Sequence, residues 1–432
     1  MSEDRSKDPN DQQRGDGLSR RSFLSRGAAA AVTLPSMAAF LEACSKKDTT
    51  GGTVGTGPAP TATFSVASPE NPVKWPIFDD NKPIASGLTP EQNATLNVYT
   101  YVDYFDKGAI KSFEKKYQKY NVKVTLTTFE DTTEAIGKIR TGGVQADIYN
   151  PSYDQIGKMV TAKLVQPINH DYIPNIANVW PTYSNPFYDQ EWQYTTPYVL
   201  YGTGIAWRAD LVSEDIAAMS NPYDIFWNAK YEKKMSVLDD YRTCMGMVLL
   251  RNNLSVNTIK TEDLDLVHKQ LSLLNQTTKP KVNVTDYTDV PTKIVSICQA
   301  WAGDAVNMVS YMPEGQSPDV LRYWSPSGNE NMCDNDLLVL LKESKAPVMA
   351  HLLLNHMLDY EVSIGTFSFT GYQPPQNKIT PEELVSSQFI PKNLASAVVL
   401  QKDWESGQHL LELPPDVDSQ WQAVWQQFKA GA

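Results

Sequence analysis

Six short segments carry aromatic rings, carboxylates or hydroxyls in close succession: Tyr101-Val102-Asp103-Tyr104, Pro151-Ser152-Tyr153-Asp154, Asp239-Asp240-Tyr241, Trp301-Ala302-Gly303-Asp304, Asp334-Asn335-Asp336 and Gly371-Tyr372. Gathered in one place, such side chains suit an organic cation. Ring faces attract positive charge, worth about 0.5–2 kcal/mol each. Carboxylates offset the cost of stripping water from an ammonium group. They also reject a neutral guest, which would leave them buried and unpaired. A single ring at a strand end is usually core, so the reading rests on six segments of similar composition.

Other chemistry is thinly supplied. No nucleophile elbow, phosphate loop or dinucleotide fingerprint stands in a fitting context, and the Gly51–Gly57 cluster follows no strand and opens no helix. There are five His in the chain; His351 and His356 are five apart on one helix, off a common face, and read as core. No clustered Cys/His pattern supports zinc, so neither a metal nor a cofactor is expected. The formal net charge of -12 argues against nucleic acid and anionic lipid surfaces as partners. An enzyme is not favoured.

Alternating strands and helices must position the six segments. Leu96 and Val98 open a first strand; Ile110, Phe113, Tyr117 and Tyr120 recur at helical spacing; Val122, Val124 and Leu126 alternate as a second strand. Asp131 and Glu134 resemble a capping box before Ile136 and Ile139, and Ala146 to Tyr149 start a third strand. This order implies parallel pairing in an α/β domain. Further on, Ser236 to Leu238 read as strand, Leu264 to Leu274 as helix, and Leu337 to Leu341 as a buried strand. Pro347 fits the first turn of a helix, and Trp421, Trp425 and Phe428 line one stripe of the last helix. More than 300 residues follow Ala94, enough for two cores.

The N-terminus predicts where the chain works. Ser19-Arg20-Arg21-Ser22-Phe23-Leu24 reads as a twin-arginine export signal, followed by an apolar run too short to span a bilayer and by Leu41-Glu42-Ala43-Cys44, a lipoprotein cleavage box. Glu42 and Ser25 depart mildly from that pattern. The expectation is a mature chain lipidated on Cys44 and held at a membrane in the periplasm or at the cell surface, with Ser45 to Pro60 as a tether without core-forming residues. Cys244, Cys298 and Cys333 leave room for one disulfide.

Over most of 94–432 the sequence resembles the spermidine/putrescine-binding periplasmic components of ABC importers. The markers are Leu96 to Tyr104, Ala146 to Ser152, Thr196-Pro197-Tyr198 with Gly202 to Ile205, Trp301 to Asp304, and Gly371 to Pro374. The resemblance implies an α/β, two-lobed, type II-like periplasmic-binding-protein fold, each lobe a mostly parallel sheet flanked by helices, joined by a hinge of crossing strands. With the N-terminal reading, the expected layout is a signal peptide at 1–43 and a flexible tether and N-terminal extension at 44–93, and the resemblance adds lobe one at 94–206 plus 335–391 and lobe two at 207–334 plus 392–432. It implies a monomer that captures a polyamine and hands it to a membrane permease.

Carried over position by position, the resemblance makes Tyr101 a stand-in for a Trp packing on ligand methylenes, Tyr104 a pocket tyrosine, and Ser152 a hydroxyl near one amine. Asp240 falls at or beside an acidic position. Trp301 matches a stacking Trp, Asp304 an acid of the putrescine type, Asp336 the acid holding an internal amine, and Tyr372 a ring on the wall. Two departures stand out: Thr243 replaces a frequent Glu, and Asp334 an expected aromatic. The alternatives are a binder of the same fold for another organic cation, a metal or an anion, to which Arg242 points, and an exported enzyme.

Overall fold

The computed structural model describes residues 66–129, 132–328 and 331–431. The export signal, Cys44, the Gly51–Gly57 cluster and Asp131 of the expected cap lie outside the described residues.

The architecture is α/β. Nine strands share one mixed sheet in the order β2-β1-β3-β9-β4-β7-β5-β6, with β8 also on β4. At one end β1 (Thr95–Tyr101) pairs in parallel with β2 (Lys123–Phe129) and with β3 (Ile148–Tyr149). At the other end β5 (Met235–Leu238) pairs in parallel with β6 (Lys281–Asn283) and β7 (Ile297–Trp301). These are the runs where strand alternates with helix, and their parallel pairing is what that alternation demands.

The centre is antiparallel. β4 (Thr195–Arg208) is 14 residues long and almost wholly buried. Its first part pairs with β9 (Met332–Leu340), and its last part with β7 and β8 (Leu321–Trp324). Thus β4 and β9 carry the chain between the two ends of the sheet. Pro197, which has no N–H to give, sits at the register shift between Pro197 and Val199. Every residue of β9 is buried, as its apolar second half anticipates.

Buried side chains gather in separate clusters. One holds β1, β3, the start of β4 and the end of β9; another holds Ile205, Met235, Val237, Ile297 and the last helix (Pro415–Lys429), which buries Trp421, Trp425 and Phe428. A third, around Tyr323, Phe367 and Leu394, sits beside them.

Residues 66–94 of the extension are bound to the rest of the fold. Val73 N–H donates to the Phe187 carbonyl at 2.8 Å, and the buried Asn81 amide to the Val165 carbonyl at 2.8 Å. Glu91 accepts from the Val348 and Met349 N–H groups at 3.0 and 2.8 Å. It thereby caps the helix Pro347–Met357, whose own flanking residue, Ala346, has no side chain to do so. Cys244, Cys298 and Cys333 are all free and buried, so the disulfide their number allowed is not formed. Among the described residues no helix is long and apolar enough to cross a membrane.

Candidate ligand-binding site

Tyr101 ends β1, and Asp103 turns the chain behind it with φ at 54°, a left-handed conformation that a short polar side chain tolerates. The reversal sets Tyr104 edge-on to Tyr101, ring centroids 5.5 Å apart. Tyr104 meets Tyr372 edge-on at 5.3 Å, Tyr372 meets Tyr201 at 5.6 Å, and Tyr201 meets Trp301 at 6.4 Å. Five rings from four parts of the chain thus make one continuous wall, in the edge-on geometry that aromatic pairs prefer.

Two glycines allow this wall to close. A Cβ on Gly303 would fall 2.3 Å from the Tyr372 ring, and one on Gly371, whose φ is +77°, would fall 2.2 Å from the Gly303 carbonyl oxygen. The Trp301-Ala302-Gly303-Asp304 and Gly371-Tyr372 segments interlock because neither glycine carries a side chain.

Asp336 lies within the wall. Its carboxylate accepts from the Tyr104 hydroxyl at 2.7 Å and from the Tyr201 hydroxyl at 3.4 Å. It is 6% exposed, and burial pushes its pKa up from the carboxylate range to about 7, with the charges of Asp154 and Asp334 adding. Asp304 is equally buried and accepts from the Tyr372 hydroxyl at 3.1 Å. Burial raises the Tyr101, Tyr104 and Tyr372 hydroxyls well above their ordinary value, and carboxylate charges add to the rise, so all three stay neutral, and those of Tyr104 and Tyr372 donate to Asp336 and Asp304.

Ser152 reaches the site through its backbone, which bridges to Asp336, while its hydroxyl donates to Asp154 at 2.6 Å. Asp240 caps the helix Tyr241–Arg251 by accepting from the Thr243 N–H at 2.7 Å. Burial raises its pKa, and its charge is felt at Tyr101. The structure therefore joins Tyr101, Tyr104, Trp301, Asp304, Asp336 and Tyr372 through contact, brings Ser152 alongside, and links Asp240 to them through charge.

Asp154, from one of the six segments, and Tyr201, which the sequence did not single out, complete the geometry. Tyr201 lies on β4 just before Gly202-Thr203-Gly204, opposite Asp334 in register and diagonal to Asp336. Only the pairing of β4 with β9 shows that its hydroxyl faces that carboxylate.

Asp334, the departure from an aromatic, is 5% exposed and held by the Tyr153 hydroxyl at 2.6 Å and the Leu410 N–H at 2.9 Å. Burial puts its pKa at about 6. Arg242 is spent on the fold: it donates to the Leu411 carbonyl at 2.8 Å and to Asn257 at 2.8 Å, and lies 5.0 Å over the Trp421 ring. His351 is fully buried, and its Nε2 accepts from the Asn169 N–H at 3.0 Å. Among the described residues no group of His, Cys, Asp or Glu could hold a metal ion.

A mixed sheet crossed by two long strands, with rings and acids where they cross, defines a periplasmic-binding-protein fold. The profile of the bacterial extracellular solute-binding proteins matches residues 99–240 of the chain. It is 22% identical over 356 residues to a spermidine/putrescine-binding periplasmic protein of Salmonella typhimurium, a match covering 80% of this chain and 94% of that one. The structure is similar to that of a spermidine/putrescine ABC transporter substrate-binding protein from Streptococcus pneumoniae (TM-score 0.63, 22% identity, 78% of this chain and 99% of that one). It is similar also to a lipoprotein of Treponema pallidum (TM-score 0.63, 20% identity, 78% and 99%). The first two of these are named as binding proteins.

Proposed function

We propose that the protein is the substrate-capturing component of an ABC importer, taking a polyamine such as putrescine or spermidine between its lobes and presenting it to a membrane permease. Asp336 carries the proposal. It is a buried carboxylate beside the ring wall, with two tyrosine hydroxyls as donors and, among the described residues, no Lys or Arg paired with it. An ammonium group supplies the missing counter-charge, and Asp304 offers a second buried acid beside Tyr372. Tyr101, Tyr104, Trp301 and Tyr372 then pack on methylenes and ammonium groups, with Ser152 and Asp240 contributing from the flank. The arrangement supports binding without turnover, by a monomer whose lobes follow the boundaries 94–206 plus 335–391 and 207–334 plus 392–432. The anion reading is weakened because the terminal nitrogens of Arg242 already bond to Leu411 and Asn257.

A lipid on Cys44, after twin-arginine export, would hold the protein at the outer face of a membrane. Cys44→Ser should release it from membranes, and continued attachment would refute the anchor.

A thermal-shift screen tests the ligand. At about 100 times the dissociation constant, a bound ligand stabilises the fold by ~2.7 kcal/mol. Putrescine or spermidine should do so; silence with both, beside a shift with an anionic solute, would overturn the polyamine reading.

A further inference from the structure

Asp154, two residues beyond the Ser152 backbone that bridges to Asp336, lines a cavity of about 20 Å³, room for one water-sized group. Its lining includes Trp75, Tyr153, Asp154, Gly157, Tyr188 and Glu412. We propose that this chamber is a second ammonium subsite of the same ligand, and that the N-terminal extension completes it by supplying Trp75. The proposal rests on the amine reading above.

Trp75 is fixed in place. Its indole N–H donates to the Tyr188 carbonyl at 2.8 Å, and Val73 is pinned on either side by Phe187 and Gln190 at 2.8 and 2.9 Å. The indole packs closely on the helix Ile156–Thr161 at Gly157: a Cβ there would stand 3.1 Å from Trp75 Cη2 and 3.6 Å from Glu412 Oε2. Indole edge and carboxylate therefore converge on a spot left open by a missing side chain. Tyr153 and Tyr188, stacked with centroids 5.2 Å apart, add aromatic wall.

The chemistry of that spot is cationic. Burial lifts Glu412 to about 6, with Lys158 the nearest cation at 3.4 Å, longer than a close charge-assisted hydrogen bond. Asp154 brings a second carboxylate. A primary ammonium has the size of a water, carries three donors, and would share Glu412 with Lys158 while resting against rings. Asp154 also ties the chamber to the main site. It accepts from Ser152, whose backbone bridges to Asp336.

The test measures binding of spermidine and of 1-aminobutane to the full chain by calorimetry. The single ammonium of 1-aminobutane needs only the Asp336 site; on this proposal spermidine occupies both. Glu412→Gln, Trp75→Leu and Gly157→Ala should each lower spermidine affinity about tenfold, the size of one charge-assisted hydrogen bond, and leave 1-aminobutane unchanged. Gly157→Ala keeps every polar group and intrudes on the chamber with a single methyl, and thermal melting of each variant checks that the fold is intact. Unchanged spermidine affinity in all three variants, while Asp336→Asn weakens both amines, overturns the chamber and leaves the main site standing. Wild-type protein that binds neither amine overturns both.

Discussion

Asp189 and Asp336 are both buried carboxyls that burial lifts to about 7, yet they have opposite surroundings. Asp189 is enclosed by donors: the N–H groups of Gln193, Tyr194 and Thr195 at 3.2, 2.9 and 2.9 Å, and the Thr195 hydroxyl at 2.8 Å. Asp336 has two tyrosine hydroxyls, one of them at 3.4 Å. The first acid is used up in holding the chain at the entry to β4. The second retains accepting capacity, and the rings around it offer faces instead of donors. A buried charge belongs to the fold when backbone donors satisfy it; it belongs to a ligand when they do not.

The largest effect separates the two. Asp189→Ala strips partners from three N–H groups and a hydroxyl inside the core, and should cost about 3 kcal/mol or more of stability in urea unfolding. Asp336→Asn should leave the melting curve close to wild type at pH 5, where the carboxyl is protonated, and weaken polyamine binding by about a hundredfold at pH 8, since it deletes the counter-charge of a desolvated cation. If both variants unfold together, or neither alters binding, the distinction between them fails.

pH sharpens the same contrast. A cation needs Asp336 ionised, so affinity should rise about tenfold per pH unit until about 7 and then level off. The stability of the ligand-free protein should run the other way. Each of these carboxyls titrates higher folded than unfolded, so its contribution is full below about pH 4, the unfolded value, and is lost as pH rises through about 7. Asp336→Asn should flatten the binding profile. It should also remove part of the stability slope, leaving the part that belongs to Asp189. Calorimetric titration and urea unfolding at pH 5 and 8 measure both.

What the sequence made legible follows from the range of each signal. β1, β2 and the last helix were readable because apolar residues recur every two residues or every three to four, and β5, buried at all four positions, was readable as a short apolar run. β4 was not read as one 14-residue strand, because a strand buried on both faces has no alternation and Pro197 argues against it. The glycines of the Trp301 and Tyr372 segments could be seen as motif positions, but their mutual contact could not. The pinned course of 66–94 escaped notice because it is held by scattered hydrogen bonds and a few side chains, such as Asn81 and Glu91, with no periodic face. Of the site, the residues at strand ends were visible in composition. Tyr201 sits mid-strand, and only cross-strand register reveals it.

The smallest expected effect is at Tyr201 itself. Its hydroxyl stands 3.4 Å from Asp336, while that of Tyr104 stands at 2.7 Å. Tyr201→Phe keeps the ring between Tyr372 and Trp301 and removes only the longer of the two hydrogen bonds. Deleting a donor to a carboxylate that a cation will also bind has two opposing results: the carboxylate becomes slightly harder to ionise, and its attraction for the ammonium is less shared. The net change in affinity should stay within about 1 kcal/mol at pH 8, where Asp336 is ionised in either protein. At pH 6 it should be larger and unfavourable, because losing the donor moves the Asp336 midpoint up. Tyr104→Phe should show the same pH dependence more strongly, and an equal effect from both would mean that the two hydroxyls share Asp336 evenly.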